Sequence, residues 1–183
     1  MPATKPTIRF KARLLRPAEP ANATWTFLVL PKAASNKLPT RSMTTVDGTL
    51  DGAAFQATLE PDGKGSHWLK VEKKLRETAG AEAGDEVGLE IAPVEQEPEP
   101  KVPPDLRKAL ADAPPGAMAT WKDITAVARR DWIHWITSGK KAETRVRRID
   151  VACDKLANGQ RRACCFDRSG MYSNSLAPPQ AAD

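Results

Sequence analysis

Histidine and cysteine are scarce: the chain of 183 residues has two of the first and three of the second. With only His67 and His134 available, a hydrolytic triad or a histidine-rich metal cluster has too few candidates, and no enzyme is expected. The odd number of cysteines, with Cys164 and Cys165 adjacent, does not make a disulfide framework and fits a reducing compartment. A tetrahedral site built from Cys153, Cys164, Cys165 and His134 is disfavoured, because adjacent cysteines do not easily both reach one ion. No metal and no cofactor are expected. Nor does any stretch approach the ~20 apolar residues of a membrane-spanning helix. Residues Met1 to Lys5 lack the apolar core of a secretion signal, so the expected location is the cytoplasm.

Net positive charge is confined to one half. Through residue 100, 13 Lys and Arg stand against 14 Asp and Glu, a net of −1; beyond it 15 stand against 9, a net of +6. The basic character therefore belongs to the second half, where an anionic partner is expected to dock.

The first half is patterned as antiparallel β structure. Ile8, Phe10, Ala12 and Leu14 alternate with Arg9, Lys11 and Arg13, the pattern of a strand with one wet face. Trp25 to Leu30 is apolar nearly throughout and reads as a strand buried on both faces, closed by Pro31. Val46 to Leu50 leads into Asp51-Gly52, a dipeptide that favours a two-residue hairpin, and Phe55, Ala57 and Leu59 alternate on the returning strand. Asp62-Gly63-Lys64-Gly65-Ser66 lacks the glycine-to-lysine spacing of a phosphate loop and reads as a turn. Trp68, Leu69 and Val71 begin another strand, and Val71, Leu75 and Ala79 then fall at helical spacing. Gly80 stops that helix, Gly84-Asp85 turns, and Val87, Leu89 and Ile91 alternate as a return strand. Aligning Trp25 with Trp68 yields a faint internal repeat of this strand, helix and strand, and two such half-barrels in one chain would close on each other. The unit from Trp68 to Ile91 resembles that of AbrB-like double-split barrels, although the proline those proteins often carry at the strand-to-helix junction is absent at Val71-Glu72. The resemblance implies a barrel more than it implies DNA binding, since this half is slightly acidic.

Pro and Glu dominate residues 94–104, the expected linker. A helical module is expected over residues 105–166. Asp105 opens a short helix with Leu106, Ala109 and Leu110 on one face, ended by Pro114-Pro115-Gly116, and Trp121 and Ile124 belong to a further turn. Thr125 caps a helix that places Ala128, Trp132, Trp135 and Ile136 in one arc, with Arg130 and His134 pointing away. Both tryptophans therefore read as packing residues rather than as stacking platforms for bases. The longest helix runs from Lys140 to Leu156, with Ala142, Val146, Ile149, Cys153 and Leu156 as its buried stripe. Beside it lie Lys141, Arg145, Arg148 and Lys155, three of them recurring every seven residues. These four are the candidate binding residues for an anion or a partner; the competing reading is a solvated helix flank. Residues 167–183 read as a disordered tail.

Taken together, Trp25 with Pro31, Val46 to Gly52 with Phe55, Leu75-Arg76 with Gly80 and Gly84-Asp85, and Val102-Pro103 with Leu106 and Ala109-Leu110 form a recognisable set. Trp135-Ile136, Lys141, Glu143-Thr144-Arg145, Arg148-Ile149, Leu156, Gly159 and Cys164-Cys165-Phe166 complete it. The chain resembles a bacterial family in which a β-domain of unknown function precedes a YdeI and OmpD-associated, bacteriocin-protection segment. The resemblance implies a link to stress or bacteriocin protection and carries over no catalytic residues. The expected protein is α+β: an antiparallel β-barrel over residues 1–93, the linker, and the helical module. It is expected to be a monomer or weak dimer that binds rather than catalyses. Its expected partner is a protein or an anionic ligand, with a nucleic-acid-binding regulator as the alternative.

Overall fold

In the computed structural model, residues 6–138, 141–163 and 177–182 are described. They fall into two compact units: one holds the described residues up to Glu95 together with 177–182, the other those from Gln96 to Ala163.

The first unit is a nearly closed barrel of six antiparallel strands. Its elements are β1 (Ile8–Arg13), β2 (Thr26–Val29), α1 (Lys32–Ser35), β3 (Thr44–Leu50), β4 (Ala53–Pro61), β5 (His67–Val71), α2 (Lys73–Ala79) and β6 (Glu86–Pro93). The strand order is β1-β6-β3-β4-β5-β2. Leu15 and Phe27 exchange backbone hydrogen bonds of 2.7 and 2.9 Å, which brings the two end strands together and nearly closes the ring. Such closure leaves few unpaired edge groups. Strand alternation decides what fills the interior: Val87, Leu89 and Ile91 of β6 are buried while Glu86 and Glu90 are exposed. Leu28, Val46, Leu50, Leu59, Leu69 and Val71 join them in one core.

A strand–helix–strand order occurs twice, as β2-α1-β3 and β5-α2-β6, and the equivalent strands pair antiparallel, β2 with β5 and β3 with β6. Antiparallel pairing of equivalents is what a two-fold relation between the copies requires. The two tight connections obey simple backbone chemistry. Asp51 at φ 46° and Gly52 at φ 89° form the hairpin turn between β3 and β4, both with the positive φ of the turn that matches strand twist. In the 62–66 run, the Asp62 carboxylate accepts from the backbone N–H of Lys64 and of Ser66, each at 2.8 Å, so the segment turns on its own aspartate.

His67 is a satisfied core residue. Its Nε2 lies 2.9 Å from the Ser42 carbonyl, which only accepts, so Nε2 carries the hydrogen and Nδ1 accepts the Ser35 hydroxyl at 2.6 Å. On the opposite side of the β2–β5 ribbon from the core leucines, Phe27 packs edge-on to Trp68 and tilted to Trp25, with the Lys70 ammonium 4.8 Å from the Trp25 ring.

Part of the stretch expected to be a disordered tail is placed differently. Ala18 N donates to Gln180 O at 2.7 Å and Ala182 N to Arg16 O at 2.8 Å, so residues 180–182 run antiparallel to Arg16–Ala18. Backbone pairing needs no particular side chains, which is why an Ala- and Pro-rich end carries no sign of it. Cys164, Cys165 and Phe166 lie outside the described residues.

The second unit contains α3 (Pro104–Asp112), α4 (Pro115–Asp123), α5 (Ala126–Thr137) and α6 (Ala142–Ala157) around a core of Leu106, Leu110, Trp121, Trp132, Ile136 and Leu156. The further turn expected at Trp121 is a nine-residue helix, α4, which Pro115 opens at its first position, where a missing N–H costs nothing. Thr125 caps α5 through a hydrogen bond from Ala128 N at 3.2 Å. The Pro/Glu segment is engaged as well: Glu99 receives Arg129 through Nε at 2.7 Å and Nη2 at 2.8 Å, and Glu97 lies 3.1 Å from Arg130. Proline-fixed backbone thus presents these carboxylates to α5, and Arg130, expected to point away, is largely covered.

Strands β3 and β6 approach closely at Gly48, where an added Cβ would lie 2.2 Å from the Glu90 carbonyl oxygen. Backbone atoms cannot swing aside, so Gly48→Ala is expected to destabilise the protein by about 3 kcal/mol. Urea denaturation followed by tryptophan fluorescence checks this, with Ala54→Gly on the neighbouring strand as a mild comparison.

Candidate functional site

The four predicted binding residues are dispersed by the geometry of α6. Lys141 precedes the helix and is exposed. Arg145 forms a bidentate pair with Asp105 at the start of α3, Nε to Oδ2 at 2.7 Å and Nη2 to Oδ1 at 3.1 Å. That pairing holds the Asp105 carboxyl below its ordinary range and raises the Arg145 guanidinium in turn. Arg148 is buried, at 7% exposure. Lys155 is half-buried on the last turn of α6.

Arg148 is the clearest departure from the sequence reading. Its Nη1 donates to the Trp135 carbonyl at 2.6 Å and to Ser138 Oγ at 2.9 Å, at the C-terminal end of α5. The last carbonyls of a helix have no intrahelical partner and carry partial negative charge, so a guanidinium there satisfies both needs. Its Cζ also lies 5.4 Å from the Trp135 ring centroid, within cation–π range. The buried stripe of α6 shifts accordingly: Arg148, Ile149, Ala152, Cys153 and Leu156 face inward, while Ala142 is exposed and Val146 is 59% exposed. An arginine one position from Ile149 reads as a flank in a helical projection, but its long stem lets the head group turn inward to the end of the neighbouring helix.

Other arginines follow the same rule at α4. Arg129 donates through Nη1 to the carbonyls of Trp121 and Ile124, and Arg161 donates to the Asp123 carboxylate at 2.7 Å and to its carbonyl at 3.2 Å. Arg129, Arg145, Arg148 and Arg161 are therefore engaged inside the unit, whereas Arg107, Lys122, Arg147 and Arg162 are exposed. No free ridge for an anion results from Arg145 and Arg148.

What α3 and α6 leave open is a groove of about 820 Å³. Ala109, Ala113, Ile149, Cys153 and Ala157 form its apolar floor. Along α6, Val146, Asp150 and Asp154 follow at intervals of four and make one wall; along α3, Lys108 and Asp112 make the other. Arg145 meets Asp105 where both helices begin, and the first turn of α4, which follows directly on α3, reaches the end of α6, since a Cβ on Gly116 would lie 3.0 Å from the Ala157 carbonyl oxygen. The two helices consequently run parallel. Cys153, at the bottom, is a free thiol whose pKa burial raises, with Asp150 adding to the effect. Sequence reasoning missed the groove because it assigned Val146 to the core; the i, i+4 row of Val146, Asp150 and Asp154 was the signal available.

Among the described residues no group of three His, Cys, Asp or Glu is placed to hold a metal ion. His134 is half-buried on α5, and burial lowers its pKa, opposed by the nearby Asp131. Among the described residues no helix is long and apolar enough to cross a membrane.

Since Arg148 closes α5 from within while Lys141 stands in solvent, the two should respond differently to loss of charge. Arg148→Met keeps most of the stem and removes the cap; it is expected to cost about 2–3 kcal/mol, with Arg148→Lys recovering part. Lys141→Met should stay within about 0.5 kcal/mol of the parent. Thermal melts of the three variants by circular dichroism decide this.

No curated protein is similar enough to the chain to match it. Residues 10–91 match the family described as Domain of unknown function (DUF1905), which covers nearly all of the barrel. Residues 99–159 match the family described as Bacteriocin-protection, YdeI or OmpD-Associated, from Glu99 through the end of α6. The chain thus belongs to the proteins in which a DUF1905 β-domain is followed by a YdeI or OmpD-associated domain.

Proposed function

We propose that the protein acts by binding rather than by catalysis, and that its helical unit docks a protein partner in the groove between α3 and α6. The observation that carries this reading is Val146. A valine left 59% exposed on the wall of a groove with an apolar floor is a surface that gains by being covered. The floor is lined by small side chains at Ala109, Ala113 and Ala157, which allow close approach of another backbone. On this reading the docking serves stress or bacteriocin protection, which the wording of the family description, bacteriocin protection, supports. A nucleic-acid-binding regulator would draw on Lys141, Arg145, Arg148 and Lys155, of which Arg145 and Arg148 are already bonded within the unit.

A photo-reactive amino acid placed at position 146 of the full chain in living cells is expected to give a discrete protein adduct. The same group at the exposed Lys122 should not give that adduct. Absence of any adduct at 146, or identical adducts from both positions, would remove the groove as the docking site.

A further inference from the structure

Resting on the groove as a docking site, we infer that its occupant is a cationic amphipathic α-helix, with its apolar side on the floor and its basic side chains against the walls. Three observations lead there. The first is shape. Val146 to Ala157 spans eleven residue steps of α6, about 16 Å at 1.5 Å per residue, or roughly three turns. The groove is open along this length and floored by Ala, Ile and Cys side chains without converging polar groups, which suits a helix laid lengthwise better than a compact polar ligand.

The second is the charge of the walls. Four aspartates and one lysine line the groove. Arg145 already neutralises Asp105, whereas Asp112, Asp150 and Asp154 are exposed and form no ion pair with a described residue. The third is the direction of the helices. Because α3 and α6 run parallel, both C-termini lie at the same end, where Asp112 and Asp154 also stand. The negative end of the α6 dipole adds to two carboxylates there, while the N-terminus of α4, which begins at Pro115, offsets the negative end of α3. That end of the groove favours a cation and disfavours an anion.

The whole chain carries a formal charge of +5, so long-range attraction alone would favour an anionic peptide. A preference for a cationic one must therefore come from the groove itself, which makes charge a discriminating probe. The test uses three fluorescent peptides of about 16 residues with one common leucine face and a polar face of lysine, glutamine or glutamate. Each is titrated against the full-length protein by fluorescence anisotropy at several salt concentrations. The lysine peptide is expected to bind on the order of tenfold or more tighter than the glutamine peptide at low salt, with the gap closing as salt rises.

Asp112→Asn, Asp150→Asn and Asp154→Asn combined should bring the lysine peptide to the affinity of the glutamine peptide, with the thermal melt unchanged. Val146→Asp should weaken the glutamine peptide. Equal binding of the three peptides, or preference for glutamate, overturns the inference while leaving docking in the groove intact. Failure of every peptide alongside a discrete adduct at position 146 also overturns it, since the occupant is then not such a helix. Failure of both experiments overturns the docking reading itself.

Discussion

The helical unit depends on arginines that close helix ends. A helix of nine to sixteen residues leaves four carbonyls at its C-terminus without internal partners, and in a unit this small those ends lie close to the core. Arg148 answers the end of α5 from within, and Arg129 and Arg161 answer the end of α4 from two sides. Each guanidinium supplies several donors in a fixed plane and a charge that complements the helix dipole, which a lysine ammonium does less well. With Glu97 and Glu99 holding Arg130 and Arg129 in turn, the proline-rich approach to α3 is tied to α5 by charge-assisted bonds.

Allocation of the arginines decides what the surface offers. A sequence count gives the second half a net of +6 and points to an anionic partner. In the folded unit, Arg145, Arg148 and Arg161 face carbonyls and carboxylates of the same unit, whereas Asp112, Asp150 and Asp154 face outward along the groove. Net charge and local charge thus have opposite signs at the site proposed for docking. Carbonyl oxygens are invisible to a count of ionisable side chains, although they are what these guanidinium groups meet.

The same distinction explains what could be read in advance. The barrel was legible because strand burial has a period of two, so Val87, Leu89 and Ile91 announce their face directly. The Asp51-Gly52 turn was legible because few dipeptides accept positive φ at both positions. Helix α4 was not, since Pro115-Gly116 looks like a terminator when it is in fact the start of the next helix. Within α6 the period was right but the phase was off. Val146 and Ala142 fit an apolar stripe by type, yet Arg148 takes the inward place because α5 ends there and needs a donor. A requirement set by a neighbouring helix leaves no mark in the periodicity of the helix that meets it.

The central claim is that the binding surface of the helical unit is the acidic groove rather than the basic flank. Backbone amide chemical shifts of the full-length protein, followed while a lysine-faced amphipathic peptide is added, test it residue by residue. The account predicts shifts concentrated at Ala109, Asp112, Ala113, Ile149, Cys153 and Ala157, with Lys141 and Lys122 unmoved. Shifts centred on Lys141 and Arg145, or spread evenly over both units, would contradict it.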